Sequence, residues 1–144
     1  MPSPTRIETF QHKSRRELTA EYQDTLVVIP DAVTCDVYTH PETKRRDLGI
    51  VRVEPGCNTP AQKVLKGRVT IEGYFSGSGR LIIIHEDGSR DEFEVDEDSE
   101  GFSQGVYPGE IMQWQAGPQG LQFFEVCFPP WDDQRFKDLS NDPL

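Results

Sequence analysis

Short stretches of β-branched and aromatic residues recur along the whole chain and are separated by polar turn residues. Eight of these stretches are predicted to form strands, at residues 25–29, 33–38, 48–53, 68–75, 80–85, 92–95, 110–115 and 121–128. Pairs such as Pro55-Gly56 and Pro108-Gly109, and the triplet Gly77-Ser78-Gly79, are predicted to be turns between them. Many short strands at such spacing are typical of an all-β sandwich or barrel.

The clearest local unit is a predicted hairpin at residues 81–95. Asp87 and Gly88 separate its two strands, and an Asp-Gly pair readily adopts the positive φ angles of a tight hairpin turn. Two short peripheral helices are also predicted. One covers residues 14–22 with Ser14 as its N-cap, and the other covers residues 131–139 after a pair of prolines.

Composition and charge narrow the classes of partner. Hydrophobic residues make up 35% of the 144 positions, which is enough for one core, so residues 1–144 are predicted to form a single domain. The formal net charge of −10 disfavours nucleic acid and anionic membrane surfaces. The three widely spaced cysteines favour reduced thiols, and no apolar run is long enough to span a bilayer. We therefore expect a cytoplasmic protein.

Two segments carry glycine and proline at a characteristic spacing. The first opens with Val53-Glu-Pro-Gly-Cys-Asn-Thr-Pro60 and closes with Glu72-Gly-Tyr-Phe-Ser-Gly-Ser-Gly79. The second has Gly101, then Tyr107-Pro108-Gly109, then Met112. Both segments resemble the sequence signatures of the cupin family, and the resemblance covers residues 47–130. It implies a cupin-like antiparallel β-barrel of the jelly-roll type.

The resemblance also implies where a metal would bind. Most cupins hold a transition metal with three histidines and a glutamate. Glu72 stands at the glutamate position, but Met112 stands at the third histidine position. Depending on the end from which the first segment is counted, the paired histidine positions hold Gln62 and Val64 or Lys66 and Arg68. Because one carboxylate cannot hold such an ion, we expect a protein with no metal and no cofactor.

The pocket of such a barrel has five candidate residues. Strand periodicity puts Glu72 and Tyr74 on one face of their strand, and Met112 and Trp114 on one face of another. If the signature positions point inward, as the resemblance implies, these four side chains and Gln62 line one pocket. Alternatively, Met112 and Trp114 pack in the core or at an interface, and the carboxylate of Glu72 has only a structural role, bonded to a neighbouring arginine or to a tyrosine such as Tyr74.

Two ionisable residues, Arg52 and Glu125, lie within apolar predicted strands. A charge at such a position is normally paired or faces a wet cavity. Arg52 and Glu125 are therefore candidates for ligand binding. They are equally compatible with a structural ion pair, or with side chains that point to solvent.

Three functions fit these residues. The first is a metal-independent module that binds a small organic ligand, such as a sugar or a carboxylate, in the barrel. The second is a metal-free isomerase, epimerase, lyase or cyclase in which Glu72 acts as acid or base and Tyr74 or Arg52 stabilises an oxyanion. The third is a structural scaffold with a filled barrel. A homodimer formed through edge strands is expected in each case.

Overall fold

A computed structural model describes residues 5–8, 17–40, 43–132 and 134–144. These ranges form ten strands and one 3-10 turn at Glu97–Ser99. The strands are β1 (Thr5–Glu8), β2 (Glu17–Ile29), β3 (Val33–His40), β4 (Thr43–Val53), β5 (Ala61–Val64), β6 (Val69–Ile84), β7 (Arg90–Val95), β8 (Ser103–Val106), β9 (Ile111–Phe128) and β10 (Phe136–Ser140).

The strands form one curled antiparallel sheet, a half-barrel. Its main path runs in the order β1-β2-β3-β4-β9-β5-β10. The long strand β9 pairs with β4, β5 and β6, and β6 also pairs with β8 and β7. The predicted all-β class is therefore confirmed.

The central strands β4 and β9 are covered on both faces. Val51 and Phe123 lie opposite each other and point into the main core. Their neighbours Ile50 and Phe124 also lie opposite each other, and they belong to a second cluster on the other face of the sheet. Because successive side chains of a strand alternate between faces, this double coverage explains why apolar residues are adjacent in the sequence at Ile50-Val51 and at Phe123-Phe124.

The predicted hairpin at residues 81–95 is confirmed by the pairing of β6 with β7, from Gly79 opposite Val95 to Ile84 opposite Arg90. At its turn the positive φ belongs to Gly88, at 87°. The backbone N–H of Gly88 donates to the carbonyl oxygen of His85 over 2.9 Å.

The predicted turn at Gly77-Ser78-Gly79 is wrong, because β6 runs without interruption through these residues. They form an irregularity in the β6–β9 ladder, where residues 117–120 of β9 bulge opposite Ser78. Gly77 has a φ of 88°, and a Cβ atom there would lie 2.2 Å from the carbonyl oxygen of Gly120. Glycine is therefore needed for a close backbone approach inside a strand, not for a turn.

Both predicted helices are also wrong over the described residues. Residues 14–16 lie outside the described ranges, but residues 17–22 belong to β2, which pairs with β1 and β3. Within 131–139, residues 136–139 belong to β10, where Phe136 lies opposite Val64 of β5. Long-range pairing overrides the local helical pattern at both sites. In the described part of the chain, no helix has the length and apolar character needed to cross a membrane.

Candidate functional site

A cavity of about 610 Å³ opens on the inner side of the curled sheet. Aliphatic side chains of β2, β3 and β4, together with Phe123 and Phe136, form most of its wall. The polar lining residues are Cys35, Asp47, Thr59, Gln62, Glu125, Cys127 and Asp138. Three of these seven are carboxylic acids, so the polar part of the wall is acidic.

Two carboxyl groups lie side by side at this wall. Glu125 of β9 is opposite Glu72 of β6 in the antiparallel ladder, and residues at opposite positions project from the same face. Glu125 is partly buried and lines the cavity. Glu72 is fully buried behind it, with 0% of its surface exposed. A ligand in the cavity therefore meets Glu125 first.

Trp114 holds the buried carboxyl group of Glu72 in place. Its indole Nε1–H donates to Glu72 Oε1 over 2.8 Å. The indole ring stacks on Phe123, with the ring centroids 4.7 Å apart and the planes 15° apart. The second oxygen of Glu72, Oε2, is buried and makes no hydrogen bond of normal geometry with any described group. One oxygen is thus fixed, while the other has unused hydrogen-bonding capacity.

Burial makes ionisation of these carboxyl groups costly. It raises the pKa of Glu72 well above its usual value, and the charge of Glu125 raises it further. Burial also raises the pKa of Glu125. Two like charges this close cannot easily coexist, so the pair favours a state with one proton between them. Burial raises the pKa of the nearby Asp47 as well, against hydrogen bonds donated by the backbone N–H groups of Trp131 and Cys127.

The cation that lowers the pKa of both Glu125 and Asp47 is Arg135, but its hydrogen bonds are directed elsewhere. Only 2% of its surface is exposed. Its guanidinium donates to the carbonyl oxygens of Val69, Pro129 and Phe128 over 2.7, 2.8 and 3.1 Å. Among the ion pairs between described groups, none includes Glu72, Glu125 or Asp47.

Among the residues singled out from the sequence, Gln62 and Glu125 line the cavity itself. Gln62 donates to Asp138 Oδ1 over 2.8 Å. Met112 and Trp114 are 3% and 1% exposed and belong to the main core, which matches the packing alternative.

Tyr74 is also buried in this core, and its hydroxyl donates to the carbonyl oxygen of Gly77 over 2.8 Å. The alternative pairing of Tyr74 with Glu72 is therefore wrong, since the partner of the Glu72 carboxyl is Trp114.

Arg52 lies outside the cavity. It is exposed and lies opposite Gln122 in the β4–β9 ladder, one residue from the inward-facing Val51 and Val53. Since strand residues alternate, its side chain projects from the opposite face. Of the alternatives for Arg52, the solvent-facing position is the observed one.

The four cupin metal positions hold side chains of mixed chemistry. Gln62 and Val64 lie in β5, where Gln62 is opposite Met112, whereas Lys66 and Arg68 are exposed in the connection to β6. The four positions therefore carry an amide, an isopropyl group, the Glu72 carboxyl and a thioether. This donor set does not fit a transition metal that needs imidazole nitrogens. Among the described residues, no group of three or more His, Cys, Asp or Glu side chains could hold an ion.

Sequence reasoning missed several lining residues. Cys35 follows the period of two with Val33 and Val37, so strand periodicity could have placed it at the wall. Nothing in the sequence near Asp47 indicated that it lines the cavity. Its carboxylate accepts hydrogen bonds from the backbone N–H groups of residues about eighty positions away.

No family model and no curated protein matches the chain. Similar solved structures include oxalate decarboxylase from Bacillus subtilis at pH 4.6, with 19% identity and a TM-score of 0.68 over 81% of this chain. A variant of that enzyme matches 96% of this chain with 16% identity and a TM-score of 0.65. The chain spans about a third of the length of these proteins. The likeness shows a cupin-like fold, as the sequence signatures implied.

Proposed function

We propose that this chain is a cupin-fold module that binds a small, largely apolar organic molecule in its cavity. The observation that carries the proposal is the cavity of about 610 Å³ with an aliphatic wall and a few converging polar groups. Such volume and lining are typical of sites for small molecules. A scaffold with a filled barrel is not supported, because its premise was an interior without such space.

The negative charge of the cavity wall limits the chemical classes of ligand that can bind. Asp47, Glu125 and Asp138 line the cavity, and its described lining contains no Lys, Arg or His. Desolvating an anion against these acids is unfavourable. The similar proteins are named for oxalate, a dianion, so we do not extend that substrate to this chain. We therefore favour a ligand without negative charge, such as a sugar or an alcohol, over a carboxylate. The non-fitting donor set supports binding without a metal.

Occlusion of the cavity mouth tests the proposal. Leu26 lines the cavity and is 42% exposed, whereas Leu65 is 46% exposed and lies outside the lining. We expect Leu26→Trp to weaken binding of a neutral probe, 2-phenylethanol, by about tenfold or more, because the indole fills the entrance. Leu65→Trp, the matched control, leaves the affinity unchanged. Isothermal titration calorimetry measures both affinities.

Two results would contradict the proposal that a ligand binds in the cavity. If the unaltered protein shows no saturable binding of 2-phenylethanol, cyclohexylmethanol or a methyl glycoside, the binding proposal fails. If both tryptophan variants weaken binding equally, the ligand lies somewhere other than the cavity.

Acid–base catalysis is a second candidate because two carboxyl groups that favour one shared proton lie at the cavity. Glu125 is the group in a position to exchange a proton with a bound substrate, while the buried Glu72 would be a positioning residue. If the chain is an enzyme, Glu125→Gln abolishes turnover of an identified neutral ligand without loss of its binding. In a pure binding module no turnover is present to lose.

A further inference from the structure

The carboxyl groups beside the cavity are short of positive charge. Glu72 is fully buried, Glu125 is partly buried at the wall, and Asp47 is close enough to raise the pKa of Glu125. Arg135 directs three hydrogen bonds to backbone carbonyl oxygens. Among the Lys and Arg residues whose side chains the structure describes, none forms an ion pair with these three acids. A buried carboxylate without a counter-charge is costly.

A second, independent observation points to a missing partner. Glu72 Oε2 is buried and accepts no hydrogen bond from a described N–H group, and the neighbouring Glu125 carboxyl can donate to Glu72 only when Glu125 is protonated. The other oxygen of Glu72 accepts from Trp114. Buried polar atoms in folded proteins are nearly always satisfied. The unused acceptor is on the side chain opposite Glu125, which itself lines the cavity. The arrangement therefore offers several acceptor oxygens, with at most one proton shared between the two carboxyl groups.

We propose that the cavity selects small ligands that carry a primary ammonium group on an apolar body, with the ammonium nitrogen bound at Glu125. This inference rests on the proposed function and narrows it. An ammonium has three donors and one positive charge, so it supplies what the carboxyl groups lack. Glu125 accepts a hydrogen bond directly from the ammonium group. The buried Glu72, on the far side of Glu125 from the cavity, adds negative charge that stabilises the bound cation. The aliphatic wall and Phe123 receive the apolar body.

The competing explanation is a neutral, structural carboxyl pair. In that case a proton held between Glu72 and Glu125 satisfies both groups, and the cavity has no preference for a cation. The two explanations differ in ligand selectivity, which is measurable. Charge-assisted hydrogen bonds contribute about 1.5–3 kcal/mol, which corresponds to roughly tenfold to a hundredfold in affinity.

The decisive experiment compares three probes of similar shape at pH 7 and 0.15 M salt. They are 2-phenylethylammonium, the neutral 2-phenylethanol and the anionic 3-phenylpropanoate. We expect the ammonium to bind at least about tenfold more tightly than the alcohol, and the anion to bind most weakly. Glu125→Gln should remove the preference for the ammonium and leave alcohol binding intact. Glu54→Gln, which neutralises an exposed acid outside the cavity lining, should keep the preference.

Each other outcome is also decisive. Equal affinities for the ammonium and the alcohol in the unaltered protein overturn the ammonium proposal but leave the binding function standing. A preference that survives in folded Glu125→Gln overturns the placement of the ammonium. Failure of all three probes overturns this inference, and the binding function is overturned with it only if cyclohexylmethanol and the methyl glycoside also fail to bind. If Glu125→Gln does not fold, the probe series in the unaltered protein and in Glu54→Gln decides, because Glu54 lies outside the cavity lining and its variant should keep the preference.

Discussion

At the scale of single residues, the contact between Trp114 and Glu72 shows how one side chain serves both packing and polarity. The indole ring packs against Phe123 in the core, and its N–H group satisfies an oxygen of a fully buried acid. Tryptophan suits this place because its N–H is a donor only. The sequence marked both residues as candidates, and the structure shows them bonded to each other.

Trp114→Phe should destabilise the fold. The change removes the donor and leaves Glu72 Oε1 buried without a partner, which costs about 1–3 kcal/mol, and the smaller ring adds a packing loss. Urea denaturation followed by circular dichroism measures the free energy of unfolding. Trp131→Phe is the control, since Trp131 is 49% exposed. Equal effects of the two substitutions would show that the Glu72 contact contributes nothing.

At the scale of elements, the long strands β6 and β9 contain glycine and glutamate residues at positions where the apolar pattern of a buried strand favours neither residue type. Their ladder includes the irregularity at Gly77 and also places Glu72 opposite Glu125. A glycine in a strand often marks a close backbone approach. The same residue type closes the β6–β7 hairpin at Gly88, where an added Cβ atom would meet nothing within 4 Å beyond its neighbours in the chain.

A pair of alanine substitutions should separate these two uses of glycine. Gly88→Ala should cost about 1–2 kcal/mol, because only the left-handed backbone conformation opposes it. Gly77→Ala meets the same conformational cost and also the Gly120 carbonyl oxygen 2.2 Å away, which adds about 1–3 kcal/mol. Thermal and urea unfolding of both variants check the order. A smaller loss in Gly77→Ala than in Gly88→Ala would contradict the close approach of β6 and β9.

At the scale of the whole molecule, buried acids link stability to pH. A group whose pKa is raised by folding stabilises the protein below its unfolded pKa, and this contribution disappears as pH rises through its folded pKa. Glu72, Glu125 and Asp47 have raised pKa values because of burial. His85 also has a raised pKa, because of its hydrogen bonds with Asp91 and Glu110. All four raised pKa values therefore lower the free energy of unfolding as the pH rises.

The free energy of unfolding should therefore fall as pH rises from about 5 to 8, which lies above the usual pKa of a carboxyl group near 4. Urea denaturation at pH 5, 6.5 and 8 measures it. Glu72→Gln cannot ionise at this position and should lose less stability over this range. His85→Gln separates the contribution of the half-buried histidine from that of the buried acids. A free energy that rises with pH, or an unchanged slope in Glu72→Gln, would contradict the assignment of raised pKa values to the buried pair.

The sequence by itself determined the all-β class, the β6–β7 hairpin and the likeness to cupins, because these depend on local periodicity and on glycine and proline spacing. It also identified Gln62, Glu72 and Glu125 as unusual. It did not predict β10 or the extended N-terminal part of β2, because pairing partners far along the chain override a weak helical pattern there.

Only the tertiary structure decided which acid meets the cavity and which face Arg52 occupies. A period of two tells which residues of a strand share a face, but not which face is the interior when both are apolar, as in β4 and β9. The position of Asp47 likewise depends on contacts with residues about eighty positions away. Local pattern is set by neighbours in the chain, whereas a site is set by neighbours in space.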